Sequence, residues 1–93
     1  MIIGYIPKGS DNRITSKALE MLTGMTGAEI RREINKLRQQ GYPIGSDRRG
    51  YFIATSAQEI VPTIRNLNSR MAAINRAIAG LKDAQYNMIE WDE

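Results

Sequence analysis

From Ile60 onward, large apolar residues return at spacings of four and three: Ile60, Ile64, Leu67, Met71, Ile74, Ile78 and Leu81. Only a helix places such a series along one side, and the spacing is the a/d pattern of a heptad helix. A helix from Pro62 to Lys82 would be about 30 Å long. That outreaches any domain the first 54 residues could build, so part of the seam would face water in a single chain. Large exposed apolar faces mark interfaces. The expectation is a homodimer through Ile64, Leu67, Met71, Ile74, Ile78 and Leu81, parallel or antiparallel. Ser56-x-x-Glu59 has the form of a capping box ahead of this helix. Pro62 lacks a donor, and is expected to kink the first turn or delay the regular helix. Gln85 ends the series, so 55–84 reads as the dimerisation or packing helix. Residues 85–93 read as a fraying acidic tail in which Met88, Ile89 and Trp91 are the residues able to dock.

The 93 residues contain no Cys and no His. Disulfides, thiolate nucleophiles and Cys-ligated metal are excluded, as are His-based triads and the commonest metal ligand. Asp11, Glu29, Glu33, Asp47 and Glu59 show no pairing suited to carboxylate catalysis and are expected to be solvated. No enzyme, no cofactor and no metal is expected. No basic stretch followed by an apolar run opens the sequence, and no apolar stretch approaches the roughly 20 residues of a membrane span. A soluble cytoplasmic protein is the expectation.

The net charge of +3 hides an uneven distribution. Residues 1–54 carry nine basic and five acidic groups, and 55–82 carry four and one, so the body is +7. Residues 83–93 carry four acidic groups and no basic ones. A body of this sign suits polyanionic or acidic partners.

Before the seam, Met1 to Ile6 is apolar enough for one helical turn or a short strand, and Pro7 to Asn12 reads as a turn. Arg13 and Ile14 suit a short strand. Thr15 or Ser16 caps a helix through Thr23, with Ala18, Leu19 and Leu22 on one face. Gly24 ends it. Thr26-Gly27-Ala28-Glu29 is a second capping box, and Ile30, Ile34 and Leu37 form the apolar stripe of a helix that Gly41 closes. Three residues, Gly24 to Thr26, separate the two helices, so they must cross steeply as a helix-turn-helix, with Met25 buried in the turn. Tyr42 to Ser46 and Tyr51 to Ala54 are β-prone runs around Asp47-Arg48-Arg49-Gly50, a hairpin with two arginines at its tip. Tyr42 and Tyr51 flank it and suit core or edge packing.

Ile14 to Ala54 resembles a winged helix-turn-helix DNA-binding domain, above all the one that opens biotin operon repressors. The resembling residues are Ala18-Leu19, Leu22, Gly24-Met25-Thr26, Ile30, Ile34, Leu37-Arg38, Gly41-Tyr42, Ile44 and Gly50-Tyr51. The full layout is similar to small proteins of prophages and other mobile elements of Gram-positive bacteria. The resemblance implies a mainly α (α+β) fold: a winged helix-turn-helix domain over 1–54, with a two- to three-stranded wing sheet and the long C-terminal heptad helix. The helix that usually precedes the motif is missing or cut to one turn, and the C-terminal helix is expected to supply its share of the core.

In a helix-turn-helix the second helix enters the major groove. With Ile30, Ile34 and Leu37 inward, a step of about 100° per residue puts Ala28, Arg31, Arg32, Asn35 and Gln39 on the outer face. Arg reads guanine and Asn reads adenine with paired hydrogen bonds, and a methyl suits thymine. Ala28, Arg31, Arg32 and Asn35, in the N-terminal half of a recognition helix at about 27–40, are therefore the expected base readers. Lys17, Lys36 and Arg38 are the expected phosphate contacts. Arg48 and Arg49, in a wing at about 47–50, either reach flanking DNA or form a mobile loop tip. The function implied is sequence-specific binding of double-stranded DNA by a small dimeric regulator, in transcription or replication control of a mobile element. The competing reading is a protein-interaction adaptor using the C-terminal helix.

Overall fold

The computed structural model of the protein describes residues 2–91. Met1, Asp92 and Glu93, which figured in the readings of the two ends, lie outside the described residues. The chain forms α1 (Ser16–Thr23), α2 (Gly27–Gln39), β1 (Ile44–Asp47), β2 (Gly50–Ile53) and α3 (Ala57–Trp91), after 3₁₀ turns at Ile2–Tyr5 and Ser10–Asn12. It is mainly helical, with one small antiparallel sheet. Two compact units divide it, Met1–Thr63 and Ile64–Glu93.

The two short helices start and stop where local chemistry dictates. The Thr15 hydroxyl accepts from the Ala18 amide at 3.0 Å, so Thr15 rather than Ser16 is the cap of α1. Gly24 ends that helix with φ of 73°, a conformation that strains any residue with a Cβ. Two residues later Thr26 and Glu29 form a complete capping box at the head of α2.

The core of the first unit is Ile2, Ile6, Leu19, Ile30, Ile34, Leu37 and Ile44, with Met25, Tyr51 and Ile53 packed against it. Ile2 and Ile6 complete this core from the N-terminal segment. The expectation that α3 would do so is not met, since no described α3 residue belongs to this cluster. A single 3₁₀ turn brings both isoleucines to the α1 side of the core more locally than a distant helix could. Leu22 also departs from expectation: it is 56% exposed. It sits one turn beyond Leu19, and the buried strip of α1 is only wide enough for Leu19 itself. Met25 is half-buried rather than buried, and Tyr42 is exposed.

The hairpin pairs Ile44 with Ile53 and Asp47 with Gly50. Its second edge is covered by the N-terminal segment. Ile14 exchanges two backbone hydrogen bonds with Tyr51 (2.9 and 2.8 Å), and Ile53 bonds to Pro7 and Gly9. These are single-residue bridges, so the sheet has two strands and two short attachments.

The helix α3 corrects two expectations about its ends. It starts at Ala57 and carries Pro62 inside, so regular helix is not delayed. So near the N-terminus the missing donor leaves only one carbonyl of the first turn without its bond. The helix also continues to Trp91, past the break at Gln85.

Candidate nucleic-acid interface

Three side chains of α2 hold it from behind. Ile30, Ile34 and Leu37 are buried, which turns the opposite face outward. Ala28, Arg31, Arg32, Asn35, Lys36 and Gln39 are all exposed. The four expected base readers therefore share one outward face, with Lys36 beside them. Glu29 lies at its margin and accepts from the Thr26 amide at 3.2 Å. That bond, with a smaller contribution from the charge of Arg32, holds its carboxyl below the usual range. Glu29 thus stays ionised, exposed as expected and engaged in the cap as well. Glu29, Arg32, Glu33, Lys36 and Met25 line a shallow groove of mixed charge.

Arg38 does something else. Its Nε donates to the Ile44 carbonyl at 2.8 Å and its Nη2 to the Ser46 hydroxyl at 3.0 Å. The side chain expected on a phosphate is a strap from the end of α2 to β1. Ser46 continues the link: its amide donates to the Thr63 hydroxyl at 3.0 Å, and that hydroxyl lies 3.3 Å from the Ser46 carbonyl. Thr63 is the buried polar residue of α3. Arg38, Ser46 and Thr63 thus fix the hairpin between two helices.

The hairpin tip is anchored at its base. The Asp47 carboxylate pairs with Arg13 at 2.8 Å, and its other oxygen accepts from the Arg49 amide at 2.8 Å. Arg13 also lies 5.4 Å from the centre of the Phe52 ring, within cation–π range. Asp47, expected to be solvated, is structural. Arg48 and Arg49 are exposed on this braced turn, and Lys17 is exposed in the first turn of α1. These three stand on elements separate from the α2 face, within the same unit.

Glu59 is the third carboxylate with work to do. It accepts from the Thr55 amide (2.6 Å), the Thr55 hydroxyl (2.7 Å) and the Ser10 amide (2.8 Å). The bonds from Thr55 and then Ser10 hold its carboxyl at a pKa of about 2. The capping box expected with Ser56 is only half formed: the Glu59 amide reaches the Ser56 hydroxyl at 3.4 Å, while the carboxylate serves Thr55 and the N-terminal loop. From sequence Glu59 was expected only as the partner of Ser56 in a capping box, and Thr63, Arg13 and Ser46 were given no side-chain role. Their partners lie as far as 49 residues away, and no local spacing signals such a pairing.

In the second unit Ile64, Leu67, Met71, Ile74, Ile78 and Leu81 are all exposed. Among the described residues no cluster of acidic, His or Cys side chains is arranged to hold a metal ion, and no helix is long and apolar enough to cross a membrane. No protein-family model, curated protein or solved structure matches the chain.

Proposed function

We propose that the chain binds double-stranded DNA, with α2 in the major groove and the hairpin tip on the flanking backbone, as a winged helix-turn-helix regulator. One observation carries the reading: Arg31, Arg32 and Asn35 stand exposed on one face of a helix whose opposite face is locked in the core. A helix held that rigidly presents its polar face at low entropic cost, which is what a base reader needs. Two further features support it. The two helices are joined by three residues, Gly24 to Thr26, a connection of helix-turn-helix length. The arginines of the hairpin tip stand on a base fixed by Asp47 and Arg13.

In this reading Ala28, Arg31, Arg32 and Asn35 contact base edges. Lys17, Lys36, Arg48 and Arg49 contact phosphates, and Arg38 positions the hairpin. A role in transcription or replication control of a mobile element rests on the resemblance of the layout alone. The four phosphate cations of each chain then release counterions, and the affinity of one chain falls about 10²-fold between 50 and 200 mM salt. The test is anisotropy of a labelled duplex with the R31A/R32A variant, whose positions touch nothing in the core. Binding lost at both salts, with an unchanged circular dichroism spectrum, is the expected result. Undiminished affinity in the folded variant refutes the assignment of α2.

A further inference from the structure

Among the described side chains of α3 Thr63 is the last that is buried, and every one from Ile64 to Ile89 is exposed. The apolar seam runs through this stretch, with exposures from 38% at Leu67 to 71% at Leu81. Helices of this length in water owe most of their stability to packing of an apolar face, and within the second unit nothing covers this one. We infer that the seam of α3 is the docking surface for a second copy of this chain.

Area and charge both favour that occupant. Ile64, Leu67, Met71, Ile74, Ile78 and Leu81 together present several hundred Å² of apolar surface per chain, at the upper end of what a monomer leaves open. Two such faces cover on the order of 1,000 Å², the size at which specific interfaces begin. The flanks decide between partners. With Ile64, Met71 and Ile78 at a and Leu67, Ile74 and Leu81 at d, the e and g positions are Asn68, Arg70, Asn75, Ala77, Lys82 and Ala84. In a parallel pair Arg70 meets Asn75 and Lys82 meets Ala77. In an antiparallel pair with its layers matched, Asn68 meets Asn75 and Arg70 meets Ala77. Neither arrangement sets like charges opposite each other, so the surface is self-compatible. A charged foreign helix would find no complementary column on these flanks. The inference is independent of DNA binding, because it rests on α3 alone.

Sedimentation equilibrium of the full chain without DNA tests it. The expected mass is twice the 10.5 kDa of one chain. Met71→Glu with Ile74→Glu places four carboxylates in the paired seam, and is expected to raise the dissociation constant at least about 100-fold. Ala72→Glu with Ala79→Glu, on the outer side of the same helix, is expected to leave the mass doubled. Should the glutamate pair unfold α3, Met71→Ala with Ile74→Ala gives a smaller shift of the same sign, about 10-fold. A wild-type chain that stays monomeric at millimolar concentration overturns the proposal. So does an assembly larger than a pair, or one broken equally by the outer-side variant.

Discussion

Gly50 begins β2 with φ of 136°, a region that residues with a Cβ rarely enter. It is buried, and a Cβ built on it would overlap the carbonyl group of Ile14 and come within 3.0 Å of the Thr15 Cα. These are backbone atoms, so no rotamer change relieves the contact. Gly50→Ala must therefore push the segment at Ile14 off the hairpin and break the two hydrogen bonds it shares with Tyr51. Each bond contributes about 1 kcal/mol net. The left-handed strain adds about 1–2 kcal/mol, and the reduced entropy of the unfolded chain returns about 0.5 kcal/mol. The expected loss is about 3 kcal/mol, a large part of what a unit of this size possesses. Urea unfolding followed by far-ultraviolet circular dichroism measures it. Gly80→Ala is the control: nothing lies within 4 Å of its missing Cβ. It should be neutral or stabilise α3 by up to about 1 kcal/mol. A Gly50→Ala loss below about 1 kcal/mol would refute the claim that the N-terminal segment is locked to β2.

Two more expectations follow from the polar links. The carboxyl of Glu59 is depressed in the folded chain, so its contribution to stability is complete above its ordinary pKa of 4.5 and is lost as the pH falls toward about 2. The gap in urea midpoint between wild type and Glu59→Gln should accordingly be widest above pH 4.5 and close by pH 2; a gap independent of pH contradicts the carboxylate's role. Arg38→Met keeps the aliphatic stem of the strap while removing the donors to Ile44 and Ser46. It should cost about 1–3 kcal/mol and speed amide exchange in β1 and β2, and unchanged exchange there would show that the hairpin is held by other means.

What could be read from the sequence was what is local. The Thr15 and Thr26 caps, Gly24 and the inward stripe of α2 all depend on residues three or four apart, and all appear as expected. The two strands lie within a residue or two of the β-prone runs. Ile2 and Ile6 were illegible as core because one 3₁₀ turn is too short to show a period. Leu22 shared the periodicity of Leu19, but periodicity does not tell how wide the buried strip is. Arg38 looked like any cation on a polar helix face. Its strap depends on where β1 runs, and that is set by the packing of Ile44 rather than by anything near Arg38. Glu59 and Thr63 are similar cases: the residues they bond at a distance, Ser10 and Ser46, meet them only once the fold is complete.

The proposed function turns on the outer face of α2 reading DNA. Selection of bound duplexes from a random pool tests it most directly, using the full wild-type chain at moderate salt. An enriched consensus is expected, with two inverted half-sites if the α3 seam joins two copies, and with loss of that enrichment in R31A/R32A. A pool that emerges without sequence preference, or a consensus that survives the loss of both arginines, would contradict it.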